Sequence, residues 1–208
     1  MSYSEKLASV FGVEEQTVRK IQDDFDPVAK TISSKLGKLS LWAVDEEERK
    51  ALFSTVRLLD PKLVVETGVG SGVSSTCILS ATPRCSLHSI DLGVKYGEED
   101  RQYEVGFVVP DSLRNRWTLH LGDARTLLPK VLDQLGRIEM FFHDSTHTYE
   151  HVWFELSTAW PRIKRGVVVV DNSDWTKAPE DFARSVNQPL IQLTGDMTLI
   201  PKLSEQAG

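Results

Sequence analysis

The alternation of short apolar runs with segments of helical length, between residues 62 and 172, constrains the fold more than any other feature. Five runs are rich in Val, Ile, Leu and Phe: KLVVET, SLHSID, WTLHLG, IEMFFHD and GVVVVDN. Near-continuous apolar runs are typical of strands buried on both faces, which occur in parallel sheets covered by helices. Right-handed crossovers between such strands predict a doubly wound α/β domain.

The two ends of the chain add further elements to this domain. Helical patterns cover Ser4–Phe25 and Asp45–Leu59, and Asp45 is a suitable N-cap before an acidic first turn. The tail LIQLTGDMTLIPK has two β-like runs, which predict an antiparallel hairpin at one edge of a mostly parallel, seven-stranded sheet. We therefore predict a helical extension at residues 1–38 and one α/β domain at residues 39–208.

Composition excludes several classes of protein. The chain has 208 residues, which suffice for one well-buried core. Its net charge of −6 argues against a nucleic-acid partner, because such proteins usually present a basic face. No run is long enough to span a membrane and the first residues do not resemble a secretory signal, so we expect a cytoplasmic protein without a membrane partner. Cys77 and Cys85 are expected to be reduced packing residues.

The sequence ETGVGSG, at Glu66–Gly72, predicts a ligand-binding turn. Gly68, Gly70 and Gly72 follow the first predicted strand, and they allow the backbone to turn sharply against a ligand. The helix that begins near Val73 directs its free N–H groups at an anionic part of that ligand. The spacing is GxGxG, which differs from the GxGxxG of a dinucleotide site.

Acidic residues at three successive strand ends indicate the chemistry of the ligand. Glu66 precedes the glycine turn, where a carboxylate favours an ammonium group. Asp91 ends the second strand, a position from which a carboxylate accepts hydrogen bonds from ribose hydroxyls. Asp123 follows the third strand and is placed to contact an adenine amino group. Together these acids describe a ligand with an amino acid end, a ribose and a base, and S-adenosylmethionine fits this description.

Three segments resemble the class I S-adenosylmethionine-dependent methyltransferases: ETGVGSG, MFFHDSTHTYEHVWFEL and AWPRIKRGVVVVDN. Within that class they are most similar to the catechol-type and the macrolide and sugar O-methyltransferases, over about Lys38 to Lys202. The resemblance implies a Rossmann-like methyltransferase fold, with Asp91 on the ribose. It also implies a set of residues at the methionine part, with Ser74 near its carboxylate: Glu66, Gly68, Gly70 and Ser74.

Two further strand ends predict a metal site. Asp144 ends the fourth strand, and Asp171 and Asn172 end the fifth, so two carboxylates and an amide converge on the same crevice. A hard divalent cation prefers oxygen ligands of this kind. The matching Asp, Asp and Asn of the catechol-type enzymes bind magnesium, and in metal-free methyltransferases Asp144 and Asp171 would instead contact the cofactor or cap a loop.

His147 is our candidate for the general base, because imidazole titrates near neutral pH and the residue lies in the loop after Asp144. The catechol-type enzymes carry a lysine at this offset, so the chain departs from their pattern here. His143 and His151 flank His147 and leave a three-histidine zinc site as an alternative, against which strand-to-helix geometry argues.

The predicted function is methyl transfer to a hydroxyl of a small molecule, assisted by Mg²⁺. The alternatives are a metal-independent methyltransferase of nitrogen or carbon acceptors, a nicotinamide-dependent oxidoreductase, and a non-catalytic nucleoside-binding module. We expect the N-terminal helices, with Leu41 and Trp42, to cover the cofactor, so that deletion of residues 1–38 weakens turnover. Exposed sheet edges are compatible with a homodimer, and the acceptor is not identified by the sequence.

Overall fold

A computed structural model describes residues 1–37, 43–94, 96–98 and 101–203 of the protein. These residues form eight α-helices and nine β-strands. The helices are α1 Tyr3–Phe11, α2 Glu15–Asp23, α3 Asp26–Leu36, α4 Glu46–Leu59, α5 Val73–Ala81, α6 Ala124–Leu135, α7 Tyr149–Ala159 and α8 Ala178–Ser185. The strands are β1 Leu63–Thr67, β2 Ser86–Asp91, β3 Tyr96–Glu98, β4 Arg101–Tyr103, β5 Trp117–Leu121, β6 Ile138–His143, β7 Ile163–Val170, β8 Ile191–Gln192 and β9 Thr198–Lys202.

Seven strands form one sheet in the order β5-β2-β1-β6-β7-β9-β8, while β3 and β4 pair as a separate hairpin. The pairings of β1 with β2 and β6, of β2 with β5, and of β6 with β7 are parallel. β9 pairs antiparallel with β7 and with β8. The predicted doubly wound, mostly parallel sheet with a C-terminal antiparallel hairpin is thus confirmed. The strand order reverses between β1 and β6, where ligand sites form in such folds.

Two hydrophobic cores lie on opposite faces of the sheet, and this explains why the central strands have few polar positions. Side chains alternate along a strand, so Val64 of β1 enters the core with α4 and α5 while Val65 enters the core with α6 and α7. Cys77 and Cys85 are buried free thiols in the first core, in agreement with their predicted packing role. No helix in the described part of the chain is long and apolar enough to cross a lipid bilayer.

The N-terminal helices differ from the prediction of one helix over Ser4–Phe25. Gly12 adopts a left-handed conformation, with φ 64°, and ends α1 before α2 begins. The structure adds α3, which the sequence reasoning did not predict. Leu7, Phe25 and Ile32 are fully buried in the same core as α4 and α5, so these helices pack on the sheet domain. The predicted boundary at residues 38 and 39 lies outside the described residues, as do Leu41 and Trp42.

The start of α4 agrees with the prediction that Asp45 is its N-cap. The Asp45 side chain accepts a hydrogen bond from the backbone N–H of Glu48 at 2.9 Å, and the Glu48 carboxylate accepts one from the backbone N–H of Asp45 at 2.6 Å. This capping box stabilises the first turn of the helix. It also fixes the Glu48 side chain beside the carboxyl end of the sheet.

Candidate active site

The carboxyl ends of five neighbouring parallel strands form one edge of the site. Four backbone hydrogen bonds of 2.8–2.9 Å extend the sheet one residue beyond these strands. Each joins an N–H group to a carbonyl oxygen of the neighbouring strand: Gly122 to Asp91, Gly68 to Ile90, Asp144 to Thr67, and Asp171 to His143. The acids that the sequence predicted at successive strand ends, Asp91, Asp144 and Asp171, therefore lie along one edge in a fixed order.

A cavity of about 730 Å³ opens at this edge, within the range of ~300–1,000 Å³ that is usual for small-molecule sites. The glycine turn, the strand ends, the start of α4 and the loop around Trp175 line it. Arg125 is the one guanidinium among its described lining residues. Seven carboxyl groups line the same cavity: Asp45, Glu48, Asp91, Asp123, Asp144, Asp171 and Asp196. The excess of acidic groups favours a positively charged ligand.

The three glycines of the turn have different structural roles. Gly68 has φ 79°, and a Cβ there would lie 1.7 Å from the backbone oxygen of Asp144, so only glycine allows β1 and β6 to end so close together. Gly68 and Gly70 line the cavity. Gly72 does not: a Cβ there would lie 2.8 Å from the Cα of Gly106, on the packed side of the turn. The predicted contact of Gly72 with the cofactor is not supported by this position.

Glu66 is fully buried beneath the glycine turn and is not among the cavity-lining residues. Its carboxylate accepts hydrogen bonds of 2.6 Å from the hydroxyls of Ser74, Ser75 and Ser89. Burial raises the pKa of Glu66, and these three hydrogen bonds oppose the rise. The predicted direct contact of Glu66 with an ammonium group is not supported by this geometry, because the hydroxyls already surround the carboxylate. Glu66 instead holds Ser74, which lines the cavity, at the start of α5.

Asp91 lines the cavity and also holds the glycine turn in place. One carboxylate oxygen accepts hydrogen bonds from the backbone N–H groups of Val69 and Gly70, at 2.9 and 3.1 Å, and the other accepts one from Gly93 at 2.8 Å. The oxygen that accepts only from Gly93 keeps a second acceptor position, so the carboxylate can still accept a hydrogen bond from a ligand in the cavity. Asp123 also lines the cavity, where it caps α6 through the backbone N–H of Arg125.

The predicted metal residues Asp144, Asp171 and Asn172 all line the cavity. Asp171 is only 4% exposed, and its Oδ1 atom accepts no hydrogen bond from the described residues. Burial, together with the neighbouring Asp196, raises the pKa of Asp171 to about 7, and burial beside Asp171 raises the pKa of Asp144 well above its usual value. Asn172 donates from its side-chain amide to Asp196 at 3.3 Å.

Glu48 and Asp196 are acidic residues of the site that the sequence reasoning missed. Oxygen atoms of Glu48, Asp171 and Asp196 all lie within 4.8 Å of one another. Burial, a hydrogen bond to Asp196 and the charge of Asp171 raise the pKa of Glu48 to about 9. The acidic first turn of α4 was predicted only as a helix start, yet Glu48 lies one helical turn before Leu52, on the buried face of α4. That spacing is the signal that could have found it.

His147 lines the cavity, and its Nε2 atom lies 3.8 Å from Oδ1 of Asp144. Burial and the neighbouring His143 lower the pKa of His147 to about 4, so its imidazole is uncharged at neutral pH. His143 and His151 both bind the carboxylate of Glu155, at 2.6 and 2.8 Å. The three histidines do not form a cluster of metal ligands within the described part of the chain, so the zinc alternative is unsupported.

The strand order, the glycine turn and the acidic strand ends together define a class I methyltransferase. A family model described as a methyltransferase domain matches residues 65–173, and the chain belongs to this family. The predicted S-adenosylmethionine-dependent methyltransferase class is confirmed, and the nicotinamide-dependent alternative is not supported. No curated protein matches the chain significantly in sequence.

Several solved structures share the fold. A methyltransferase from Geobacter sulfurreducens has 19% sequence identity and a TM-score of 0.63 over 86% of this chain and 89% of its own. The O-methyltransferase TomG from Streptomyces achromogenes, solved with S-adenosylmethionine, has 19% identity and a TM-score of 0.61 over 86% and 90%. The mycinamycin-pathway methyltransferase MycE, solved with Mg, S-adenosylhomocysteine and mycinamycin VI, has 15% identity and a TM-score of 0.60 over 87% and 54%.

Proposed function

We propose that this chain transfers a methyl group from S-adenosylmethionine to a hydroxyl oxygen of a small molecule, with the assistance of a divalent cation. The observation that carries the proposal is the convergence of Asp144, Asp171 and Asn172 on a cavity that also contains the glycine turn. The bound cofactor of TomG and the Mg, cofactor product and mycinamycin VI of MycE support it by analogy of fold.

The charge of the cavity supports the cofactor. S-adenosylmethionine carries a sulfonium and an ammonium group against one carboxylate, so it matches an excess of acidic lining residues. We assign its methionine part to the backbone of Gly68 and Gly70. Because the Ser74 hydroxyl donates to Glu66, the free N–H groups at the start of α5 are the donors that remain for its carboxylate. Asp91 would accept from the ribose, and Asp123 from the adenine amino group.

Asp144, Asp171 and Asn172 supply oxygen atoms of the type that Mg²⁺ prefers, and Oδ1 of Asp171 lacks any other described partner. Mg²⁺ bound in this cavity would lower the pKa of the acceptor hydroxyl and orient it. The remaining contribution of the chain is positioning, because the sulfonium is already a reactive methyl donor.

His147 and Trp175 form the wall of the cavity that we assign to the acceptor. Their rings lie edge to face with centroids 5.1 Å apart, and Trp175 is 63% exposed. The Trp175 ring offers a flat apolar surface to an acceptor, while the uncharged His147 imidazole is free to accept a proton. A base with a pKa of about 4 is weak, so it suits a hydroxyl whose own pKa is lowered in the site.

The test is a methyl-transfer assay with labelled S-adenosylmethionine and a panel of hydroxylated small molecules, with Mg²⁺ and after exhaustive chelation. We expect transfer that requires the cation and is lost in Asp171→Ala. Asp174→Ala, which alters an exposed acid of the same loop, is the matched control and should retain activity. Full transfer after chelation would support the metal-independent alternative, and cofactor binding without any transfer would support a non-catalytic module.

A further inference from the structure

We propose that the cation in this cavity is held by Glu48, Asp171 and Asp196, so that α4 and the turn between β8 and β9 supply two ligands absent from the sequence-predicted set. This inference rests on the proposed function and names the cation site within it. Asp171 belongs to both sets. The two arrangements therefore differ in whether its partners are Glu48 and Asp196, or Asp144 and Asn172.

The spacing of the three carboxylates fits one cation. Their oxygen atoms lie within 4.8 Å of one another. Oxygen ligands lie about 2.0–2.6 Å from Mg²⁺ or Ca²⁺, so two ligands on opposite sides of such an ion are roughly 4 to 5 Å apart. The three side chains can therefore surround one ion with little movement, and the open side of the cavity leaves coordination positions for water or an acceptor.

An unpartnered buried oxygen lies within this cluster. Asp171 is 4% exposed and no N–H or O–H group of the described residues donates to its Oδ1 atom. Buried carboxylate oxygens are normally satisfied, because an unpaired one costs free energy. No lysine, arginine or histidine in the described part of the chain forms an ion pair with Glu48, Asp171 or Asp196. A bound cation would contact the unpartnered Oδ1 atom of Asp171, and it would also balance the negative charge of the three carboxylates.

The backbone around each ligand is fixed independently of any ion. Glu48 lies in the capping box of α4, which occupies one carboxylate oxygen, and its carboxyl group also contacts Asp196. The backbone oxygen of Asp196 accepts hydrogen bonds from the N–H of Ser173 at 2.8 Å and from its hydroxyl at 2.5 Å. These contacts attach the β8–β9 turn to the segment after Asp171. The site is therefore largely formed before a ligand arrives, which lowers the entropic cost of binding.

Asn172 and Asp144 have other contacts. The Asn172 side chain directs its NH₂ group towards Asp196, with Nδ2 and Oδ2 3.3 Å apart. An NH₂ group cannot bind a cation, but it can hold a ligand carboxylate in place. Asp144 lies beside Asp171, and its Oδ1 atom is 3.8 Å from Nε2 of His147, on the side of the cavity assigned to the acceptor. Both residues are thus assigned to positioning the ligands and the acceptor.

The experiment measures Mn²⁺ binding to the full chain by electron paramagnetic resonance, and Mg²⁺ binding by calorimetry. Glu48→Gln and Asp196→Asn should each lower the cation affinity at least ~10-fold, since each removes one charged ligand. Glutamine also completes a capping box, so Glu48→Gln keeps the start of α4. Glu46→Gln, an exposed acid in the same turn, is the matched control and should bind like the parent protein. Circular dichroism and urea unfolding establish that each variant is folded.

The outcomes separate this inference from the proposed function. If Glu48→Gln and Asp196→Asn bind Mn²⁺ with unchanged affinity while Asp144→Asn loses it, the inference is overturned and the cation assistance stands. If the parent protein binds no Mn²⁺ or Mg²⁺, both the cation site and the cation assistance fall, while methyl transfer after chelation would retain the methyltransferase assignment. Loss in the first two variants with retention in Asp144→Asn supports the inference.

Discussion

Replacement of Glu155 by glutamine should strongly destabilise the protein, because this buried carboxylate is surrounded by hydrogen-bond donors. It is fully buried on α7, and its two oxygens accept hydrogen bonds from Thr67, His143, Ser145 and His151 at 2.6–2.9 Å. An amide presents an NH₂ group on one side, so two of the four donors would face a donor.

The pKa of Glu155 gives the size of the stability loss expected for Glu155→Gln. Burial alone would raise the pKa, but the hydrogen bonds from His143 and His151 and the charge of His143 outweigh it and lower the pKa from 4.5 to about 2. This lowering of the pKa corresponds to about 3 kcal/mol of stability at neutral pH. The lowered pKa means that the stabilisation is fully present above pH 4.5 and is lost as the pH falls through 2. We therefore expect a deficit of about 3 kcal/mol at pH 7, and about half of that at pH 3.

Urea unfolding followed by circular dichroism at pH 7 and pH 3 measures this deficit. Glu150→Gln changes an exposed glutamate of the same helix and should alter the free energy of unfolding by less than about 0.5 kcal/mol at either pH. The reasoning is refuted if Glu155→Gln matches the parent protein at pH 7, or if its deficit is the same at both pH values. Either result would mean that the four hydrogen bonds do not favour the ionised carboxylate.

Three further predictions concern the cofactor side of the site and the N-terminal helices. Asp91→Ala should weaken binding of S-adenosylhomocysteine by about 1–3 kcal/mol in calorimetry, and unaltered affinity would remove the ribose assignment. Gly68→Ala should destabilise the protein by at least about 2 kcal/mol more than Gly136→Ala in urea unfolding. Both glycines have φ near 78°, but of the two only Gly68 has a backbone atom within 4 Å of the added Cβ. Equal effects of the two substitutions would contradict this prediction. Deletion of residues 1–38 should lower the melting temperature as well as turnover, since it removes fully buried side chains from the first core, and an unchanged melting temperature would count against it.

The fold was predictable from sequence where burial on both faces dictated the pattern. In β7, Val167 and Val169 enter one core and Val168 and Val170 the other, so every position of this run had to be apolar. The N-terminal region was less predictable because its helices are short. Gly12 ends α1 through a left-handed backbone conformation, and glycine is also tolerated within helices, so the sequence alone did not reveal the break.

The site was predictable where a residue follows a strand directly, because parallel strands bring their ends to one edge. Asp91, Asp144 and Asp171 were found in this way. Glu48 and Asp196 were not, since they reach the site from a helix and from a hairpin turn, and such approach depends on tertiary packing. The direction of a side chain was also hidden: Glu66 lies at the expected position, but three serine hydroxyls enclose it below the cavity.

Two buried glutamates, Glu155 and Glu48, have opposite pKa shifts, and we assign the first to stability and the second to ligand binding. Burial opposes ionisation of Glu155, but the donors around it outweigh burial, so they favour its ionised form and the ion contributes to folding. Acidic groups surround Glu48, and burial beside Asp196 and Asp171 raises its pKa to about 9, so its ionised form opposes folding. Two like charges about 4 Å apart repel by ~4 kcal/mol at an effective dielectric constant of 20. The folded chain offers no described cation to offset that repulsion at Glu48. A bound cationic ligand would offset this repulsion. The acidic cluster is therefore the part of the site that we expect to bind the ligand, whereas Glu155 stabilises the fold around it.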